Sequence, residues 1–195
     1  MLSHDFGAGF ADPVRDAQAV FRAVLDALAH PGTLQNLPAT GNEMGELGSI
    51  TLTLSDHDTA IWLSPALDTE AVRGFVGFHT GASIVADLAK AQFAFVAAAD
   101  ALPDLAQCNL GTQDYPDRST TIVAHVPSLT GGPRLVLRGP GIRDTQEISP
   151  NGLPGDFVAQ WQENREIFPR GVDLLLVAGG QIIGLPRSTR IVEAQ

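Results

Sequence analysis

The sequence has 195 residues, of which 44% are hydrophobic and 17% charged, and its formal net charge is −10 at pH 7. The length suits one core, and the composition lacks the polar bias that keeps chains disordered, so we expect a single domain over residues 1–195. The acidic balance disfavours nucleic acid as a partner, because phosphate backbones bind positive surfaces. No apolar run approaches the roughly 20 residues of a membrane span, so we expect no membrane insertion.

The first residues and the single cysteine both bear on location. Residues 1–5 have neither a basic start nor an apolar block followed by small residues, so they do not resemble an export signal. Cys108 is the only cysteine, which excludes an internal disulfide and suits a reducing compartment. We therefore expect a cytoplasmic protein in which Cys108 is a small buried hydrophobe rather than a reactive thiol.

The clearest helix opens at Asp12-Pro13, where an N-cap residue precedes proline at the first helical position. His30-Pro31-Gly32 ends it, because proline cannot continue the helical hydrogen bonds and glycine accepts the left-handed conformation. Apolar residues recur in this helix at three- and four-residue spacing and predict one buried stripe. The stripe consists of Val14, Ala17, Phe21, Val24, Leu25 and Leu28.

The middle of the chain alternates predicted helices and strands. Segment 44–54 has helical apolar spacing, and we favour a helix although Thr51 and Thr53 raise its strand propensity. Further along we predict a turn at 56–58, an interior strand at 59–63, a helix at 68–78, a strand at 92–97 and a short helical segment or loop at 102–108.

The C-terminal half is richer in turn residues. Two strands at 120–126 and 134–138 are joined through a loop of turn formers, which predicts a hairpin. A helix at 155–165 follows, and then strands at 172–178 and 181–185 flank Gly179-Gly180, a strong two-residue hairpin signal. Alternating helices and strands followed by hairpins predict an α/β fold, a three-layer α/β/α arrangement with a mixed sheet.

Two segments before predicted strands or at helix ends carry candidate ligand-binding residues. Asp58, with Asp56, could place carboxylates near a metal or a proton transfer, although an Asp-x-Asp before a strand is also ordinary turn chemistry. His79 and Thr80 would suit a phosphate oxygen if the end of their helix faced a cleft. The alternative is that they interact with the last carbonyl groups of that helix.

Arg187 is the fourth candidate, since residues 186–190 place two guanidinium groups and two hydroxyls just beyond an apolar strand. An anion site and an ordinary surface or interface role both remain open there. The glycine-rich stretches lack the lysine and hydroxyl of a phosphate-binding loop, and no histidine pair has metal-ligand spacing. We predict no catalytic residue, no metal site and no bound cofactor for this chain alone.

In order and spacing, these segments resemble the PhnH family, a subunit of the bacterial carbon–phosphorus lyase system for phosphonate use. The resemblance covers nearly the whole chain. It is carried by residues 14–18 with Phe21-Arg22 and Pro31-Gly32, by 56–59 with 62–64, by 78–80, 110–112, 128–132, 139–142 and 168–174, and by Pro186-Arg187-Ser188-Thr189.

The resemblance implies a domain similar to the large domain of pyridoxal-phosphate-dependent transferases, paired as a homodimer. Pyridoxal phosphate needs a lysine for its Schiff base. The sole lysine, Lys90, lies in an alanine-rich stretch with no partner motif around it. We therefore predict this fold without the cofactor.

The resemblance further implies action with PhnG, PhnI, PhnJ and PhnL-type subunits. Together, PhnG, PhnH, PhnI and PhnL would transfer the ribosyl triphosphate of ATP to an alkylphosphonate, and ATP and phosphonate could meet at a site shared with this chain. No family catalytic residue is carried over to these positions. Two alternatives stay open, a purely architectural subunit and, more remotely, an independent pyridoxal-phosphate enzyme.

Overall fold

A computed structural model describes residues 7–38 and 44–194. Four helices lie in these ranges: Pro13–Ala29 (α1), Glu46–Leu54 (α2), Glu70–Thr80 (α3) and Phe157–Glu166 (α4). The strands are Gln35–Asn36 (β1), Ala60–Leu63 (β2), Ser83–Ile84 (β3), Phe93–Val96 (β4), Thr121–His125 (β5), Leu135–Arg138 (β6), Gln146–Ile148 (β7), Asp173–Ala178 (β8), Gln181–Leu185 (β9) and Arg190–Ala194 (β10). None of the helices in the described ranges combines the length and apolar character needed to cross a bilayer.

The large sheet is mixed, as predicted. Its seven strands run in the order β1-β9-β8-β5-β4-β2-β3. The strands from β3 to β8 are parallel to one another, whereas β9 is antiparallel to β8 and β1 is antiparallel to β9. The hairpin predicted around Gly179-Gly180 is confirmed, because Ala178 of β8 pairs with Gln181 of β9.

The other predicted hairpin is wrong, since β5 and β6 lie in different sheets. β5 pairs with β4 on one side and β8 on the other, so both of its hydrogen-bonding edges are occupied. β6 is instead the middle strand of a separate antiparallel sheet with the order β10-β6-β7. The turn formers of residues 128–133 therefore connect two sheets rather than two neighbouring strands.

The seven-stranded sheet has a hydrophobic core on each face. On one face, α1, α2 and α3 pack against alternate strand residues such as Ile61, Phe95 and Val123. On the other, α4 and the small sheet pack against the intervening residues, among them Ala94 and Ile122. The mixed α/β class is confirmed, but the second outer layer contains one helix and a three-stranded sheet, not helices alone.

Local capping sets the helix boundaries. The Asp12 carboxylate accepts a hydrogen bond from the Arg15 amide and begins α1 as predicted. α3 is shifted two residues from the predicted range, because Thr69 caps it by accepting from the Val72 amide and Gly81 ends it with φ +70°. Segment 46–54 is helical despite its threonines, because the Thr51 hydroxyl donates to the carbonyl of the preceding turn.

The predicted core stripe of α1 is mostly wrong. The buried residues of α1 are Val20, Ala23, Val24 and Ala27, and of the predicted stripe only Val24 is among them. Val14, Phe21 and Leu25 are 68%, 53% and 54% exposed. Both sets of residues have helical periodicity, so spacing alone did not distinguish them. The buried set contains two alanines, which allow α1 to approach the sheet closely.

The close approach occurs where α1 crosses β9 at Gly184. A Cβ added to Gly184 would lie 2.6 Å from the carbonyl carbon and oxygen of Ala27. The Gly184 carbonyl also accepts a hydrogen bond from the Gly32 amide, 3.1 Å away, just after α1 ends. Glycine is therefore required here by the contact between two backbones.

We expect Gly184→Ala to lower the free energy of unfolding by about 1–3 kcal/mol, because the methyl group must push α1 off the sheet. Chemical denaturation measures this change. Gly77→Ala is the matched control, since a Cβ at Gly77 meets nothing within 4 Å. Gly77 lies inside α3, so its replacement should raise stability by up to about 1 kcal/mol. Equal effects of the two substitutions would contradict the close contact.

Candidate functional site

All four predicted ligand-binding residues lie at the amino-terminal edge of the parallel strands. Asp58 precedes β2, and His79 and Thr80 end the helix that leads into β3. Arg187 follows β9, which runs antiparallel, so it reaches the same edge beside Asp173 at the start of β8. Ligands in open α/β sheets usually bind at the opposite, carboxyl edge.

The turn at Asp56 is built by the carboxylate of that residue. Its Oδ1 accepts from the Asp58 amide at 3.0 Å and from the Thr59 hydroxyl at 2.9 Å. The hydrogen bond from Thr59 is the main cause that lowers the pKa of Asp56. The predicted turn is confirmed, and Asp58 is left with its carboxylate in solvent, 3.5 Å from Nε2 of His57. Ligand binding by Asp58 stays a prediction.

His79 and Thr80 already have partners within the protein. The Thr80 hydroxyl donates to the Val76 carbonyl at 2.7 Å and accepts from the Ala82 amide at 3.1 Å. Nε2 of His79 lies 3.2 Å from the Gly7 carbonyl oxygen. These contacts resemble the helix-end alternative, although they do not test ligand binding. The structure brings this helix end close to the Asp58 turn, because a Cβ on Gly81 would lie 3.5 Å from Cβ of His57.

Arg187 is the centre of a hydrogen-bond network that joins three segments. Its guanidinium holds both carboxylate oxygens of Asp173, with Nε to Oδ1 at 3.1 Å and Nη2 to Oδ2 at 2.5 Å. Nη1 donates to the carbonyl oxygens of Pro116, at 2.5 Å, and Pro169, at 3.4 Å. The Arg187 side chain is only 14% exposed. Its charge is therefore compensated by a buried carboxylate before any ligand arrives.

The candidates do not form one site. Arg187 lies beside β8, whereas Asp58 and His79 flank β2 and β3, and β8 is three strands away from β2. Neighbouring strands are about 4.8 Å apart, which separates the two groups by roughly 14 Å. The structure therefore unites Asp58 with His79 and Thr80 and leaves Arg187 elsewhere.

The carboxyl edge between β2 and β4 is occupied by protein hydrogen bonds. The crossover after β2 passes over one face of the sheet and the connection after β4 passes over the other, so a ligand crevice is expected between them. Asp100 accepts from the Ala66 amide at 2.8 Å, and the Ser64 hydroxyl accepts from the Ala97 amide at 3.0 Å. These bonds tie the two loops across the crevice.

Two further groups considered in the sequence lie in ordinary structural settings. Burial raises the pKa of the Cys108 thiol to about 12, and the charge of Asp104 adds to the shift. The prediction of a buried cysteine is confirmed. The Lys90 ammonium is exposed and pairs with Asp87 at 3.6 Å. Within the described ranges, no cluster of three or more His, Cys, Asp or Glu side chains is placed to hold a metal.

A polar cavity beside α1 was missed by the sequence reasoning. Its volume is about 520 Å³, and it opens between α1 and the edge strand β1. Arg15 and Arg22 line it together with the amide side chains of Gln18, Gln35 and Asn36. The signal in the sequence was the seven-residue spacing of the two arginines, which places them on one face of a helix.

We expect Arg187→Ala to lower the free energy of unfolding by about 2–4 kcal/mol, because it leaves the Asp173 carboxylate buried without its partner. Urea denaturation followed by circular dichroism measures the change. Asp58→Ala is the control and should change stability by less than about 0.5 kcal/mol, since that side chain faces solvent. Arg187→Ala with unaltered stability would contradict the structural role of this network.

The chain matches the family model for bacterial phosphonate metabolism protein (PhnH) over residues 8–192. It is 46% identical over 193 residues to the alpha-D-ribose 1-methylphosphonate 5-triphosphate synthase subunit PhnH of Rhizobium meliloti, covering 97% of this chain and 96% of that protein. It is also 33% identical over 176 residues to the putative C-P lyase subunit protein HtxG of Stutzerimonas stutzeri, covering 89% of this chain and 85% of that protein. With matches that span nearly its full length, the chain belongs to the PhnH family.

Proposed function

We propose that this chain is a subunit of the synthase that transfers the ribosyl triphosphate of ATP to an alkylphosphonate in the carbon–phosphorus lyase system. The observation that carries the proposal is the 46% identity, over 97% of the chain, with a relative named as a subunit of that synthase. PhnG, PhnI and PhnL-type subunits would complete the reaction, PhnJ would be a partner in the larger assembly, and the setting would be the cytoplasm.

The geometry supports a subunit that depends on its partners. Arg187 and Thr80 spend their hydrogen-bonding groups on the protein itself. Asp58 and His79 stand on solvent-facing turns, where water would compete with any charged transition state. A synthase needs groups that hold ATP and activate the phosphonate in a water-excluded site. We infer that neighbouring subunits supply most of that enclosure.

The first test is reconstitution of the synthase with and without this chain. PhnG, PhnI and PhnL-type subunits are purified and mixed with ATP and methylphosphonate, and adenine release is followed. We expect release to require the chain and to fall at least about tenfold without it, since a missing subunit removes shared binding and positioning. Full-rate product formation by the remaining subunits would reject the proposal.

An architectural role is the second candidate, favoured by the structural engagement of the predicted site residues. Substitution of Asp58 and of His79 by alanine separates the two roles, provided that the size of the assembly is checked. Lost turnover in an intact assembly favours participation in the site, and unaltered turnover favours architecture. Independent pyridoxal chemistry is disfavoured by the exposed position of Lys90. We propose that the chain has the transferase-like fold without that cofactor.

We further propose that the chain forms a homodimer and that an outer ridge of α1 is part of the contact. The ridge consists of Val14, Phe21 and Leu25, which follow one another at seven- and four-residue spacing. All three are more than half exposed. An uncovered row of large apolar side chains on one helix is typical of a protein interface. In an antiparallel pair of α1 helices, Val14 of one copy would face Leu25 of the other.

We expect Phe21→Ser to shift the chain from dimer towards monomer, with a dissociation constant raised at least about tenfold, because an aromatic anchor is lost. Sedimentation equilibrium over a concentration series measures this constant. Tyr115→Ser is the control, since Tyr115 is exposed to a similar degree but lies outside the ridge. A wild-type chain that is monomeric at all concentrations, or a Phe21→Ser dimer of unaltered affinity, would contradict the assignment.

A further inference from the structure

The polar cavity between α1 and β1 has the size of a ligand site and an unusual charge for this protein. Its volume of about 520 Å³ lies within the range of small-molecule pockets. The chain as a whole carries a net charge of −10. The cavity nevertheless presents two guanidinium groups, Arg15 and Arg22, against one carboxylate, Asp26. The local balance is therefore positive within an acidic molecule.

The two arginines are available to a ligand. Within the described residues, Arg22 has no hydrogen bond or ion pair. Arg15 makes only a loose pair with Asp12, whose Oδ2 lies 3.6 Å from its Nε, and both side chains are solvent-exposed. Several other arginines are committed to carboxylates: Arg73 to Asp68, Arg134 to Glu147 and Glu193, Arg138 to Asp144, and Arg187 to Asp173.

The neutral lining supplies further donors. Gln18 lies on α1 between the two arginines, and Gln35 and Asn36 form β1 on the opposite wall. Amide groups donate hydrogen bonds to phosphate oxygens without adding charge. The carboxylates that oppose an anion are Asp26 in the lining and Asp12 at the rim. Both can be changed without altering the donors.

The spacing of the arginines indicates the length of the ligand. Arg15 and Arg22 are seven residues apart on one helix, which places their Cα atoms about 10.5 Å apart along the axis and on nearly the same face. One phosphate group cannot contact both guanidinium groups in their extended positions. A linear chain of phosphates can, and each guanidinium can bind a phosphate in a bidentate way.

We propose that this cavity binds the triphosphate chain of a ribosyl triphosphate. The inference rests on the proposed function, which gives the chain a triphosphate-bearing substrate and product. The site lies about a quarter turn of α1 away from the apolar ridge, so a partner on the ridge and a triphosphate in the cavity occupy different faces of one helix. Three of the lining residues, Arg15, Gln18 and Arg22, belong to the fragment that carries the family resemblance.

The test is calorimetric titration of the purified full-length chain with inorganic triphosphate, ATP and inorganic phosphate in magnesium-free buffer at low salt. We expect triphosphate and ATP to bind at least about tenfold more tightly than phosphate, because only they span both arginines. The double substitution Arg15→Gln with Arg22→Gln should weaken triphosphate binding at least about tenfold. Both side chains are exposed, so the fold should persist, and the melting temperature checks it.

Two control variants separate a built site from the general field of the protein. Arg143→Gln makes the same change of charge at an exposed position outside the cavity and should leave affinity within about twofold. Asp26→Asn removes the opposing carboxylate and should tighten binding by about two- to fivefold. Equal weakening by Arg143→Gln, unaltered binding in the double variant, or equal affinity for phosphate and triphosphate would each overturn the proposal. Binding is measured on the isolated chain, so this outcome is independent of the reconstitution.

Discussion

The contact between the backbone of α1 and Gly184 of β9 determines which surfaces this protein presents. Because no side chain separates the two backbones, α1 lies close to the sheet and buries its small residues, Ala23 and Ala27. The larger apolar residues of the helix are then turned outwards, and so is the face that carries Arg15 and Arg22. One glycine thus separates a core-forming face of α1 from two faces that are free for partners and ligands.

A second constraint holds the amino-terminal edge of the sheet together. Arg187 joins the segment before β5, the segment before β8 and the connection between β9 and β10 through bonds to Pro116, Pro169 and Asp173. A guanidinium serves this purpose because it offers five donors in a fixed plane. The residue that attracted attention as an anion site is thus engaged in positioning loops, and the family fragments around 168–174 and 186–189 meet at it.

The fold class could be predicted from sequence because its signals are local. Asp12-Pro13 and Gly179-Gly180 specify a helix start and a hairpin through their own backbone preferences. The pairing of β6 could not be predicted, since its partner β10 lies more than 50 residues away in the sequence. The burial of α1 was misjudged because two stripes share the same periodicity, and only the contact at Gly184 selects between them. The cavity lined by Arg15 and Arg22 was missed because half of its wall comes from β1.

The small sheet has a consequence for the order in which the molecule is completed. Its middle strand, β6, pairs with β7 nearby in the chain and with β10 at the C-terminal end. A two-stranded hairpin of β6 and β7 has little stability alone. Trp161 of α4 also donates its indole hydrogen bond to the Thr189 carbonyl, just before β10. During synthesis, the layer that covers one whole face of the large sheet can therefore close only after the last residues have left the ribosome.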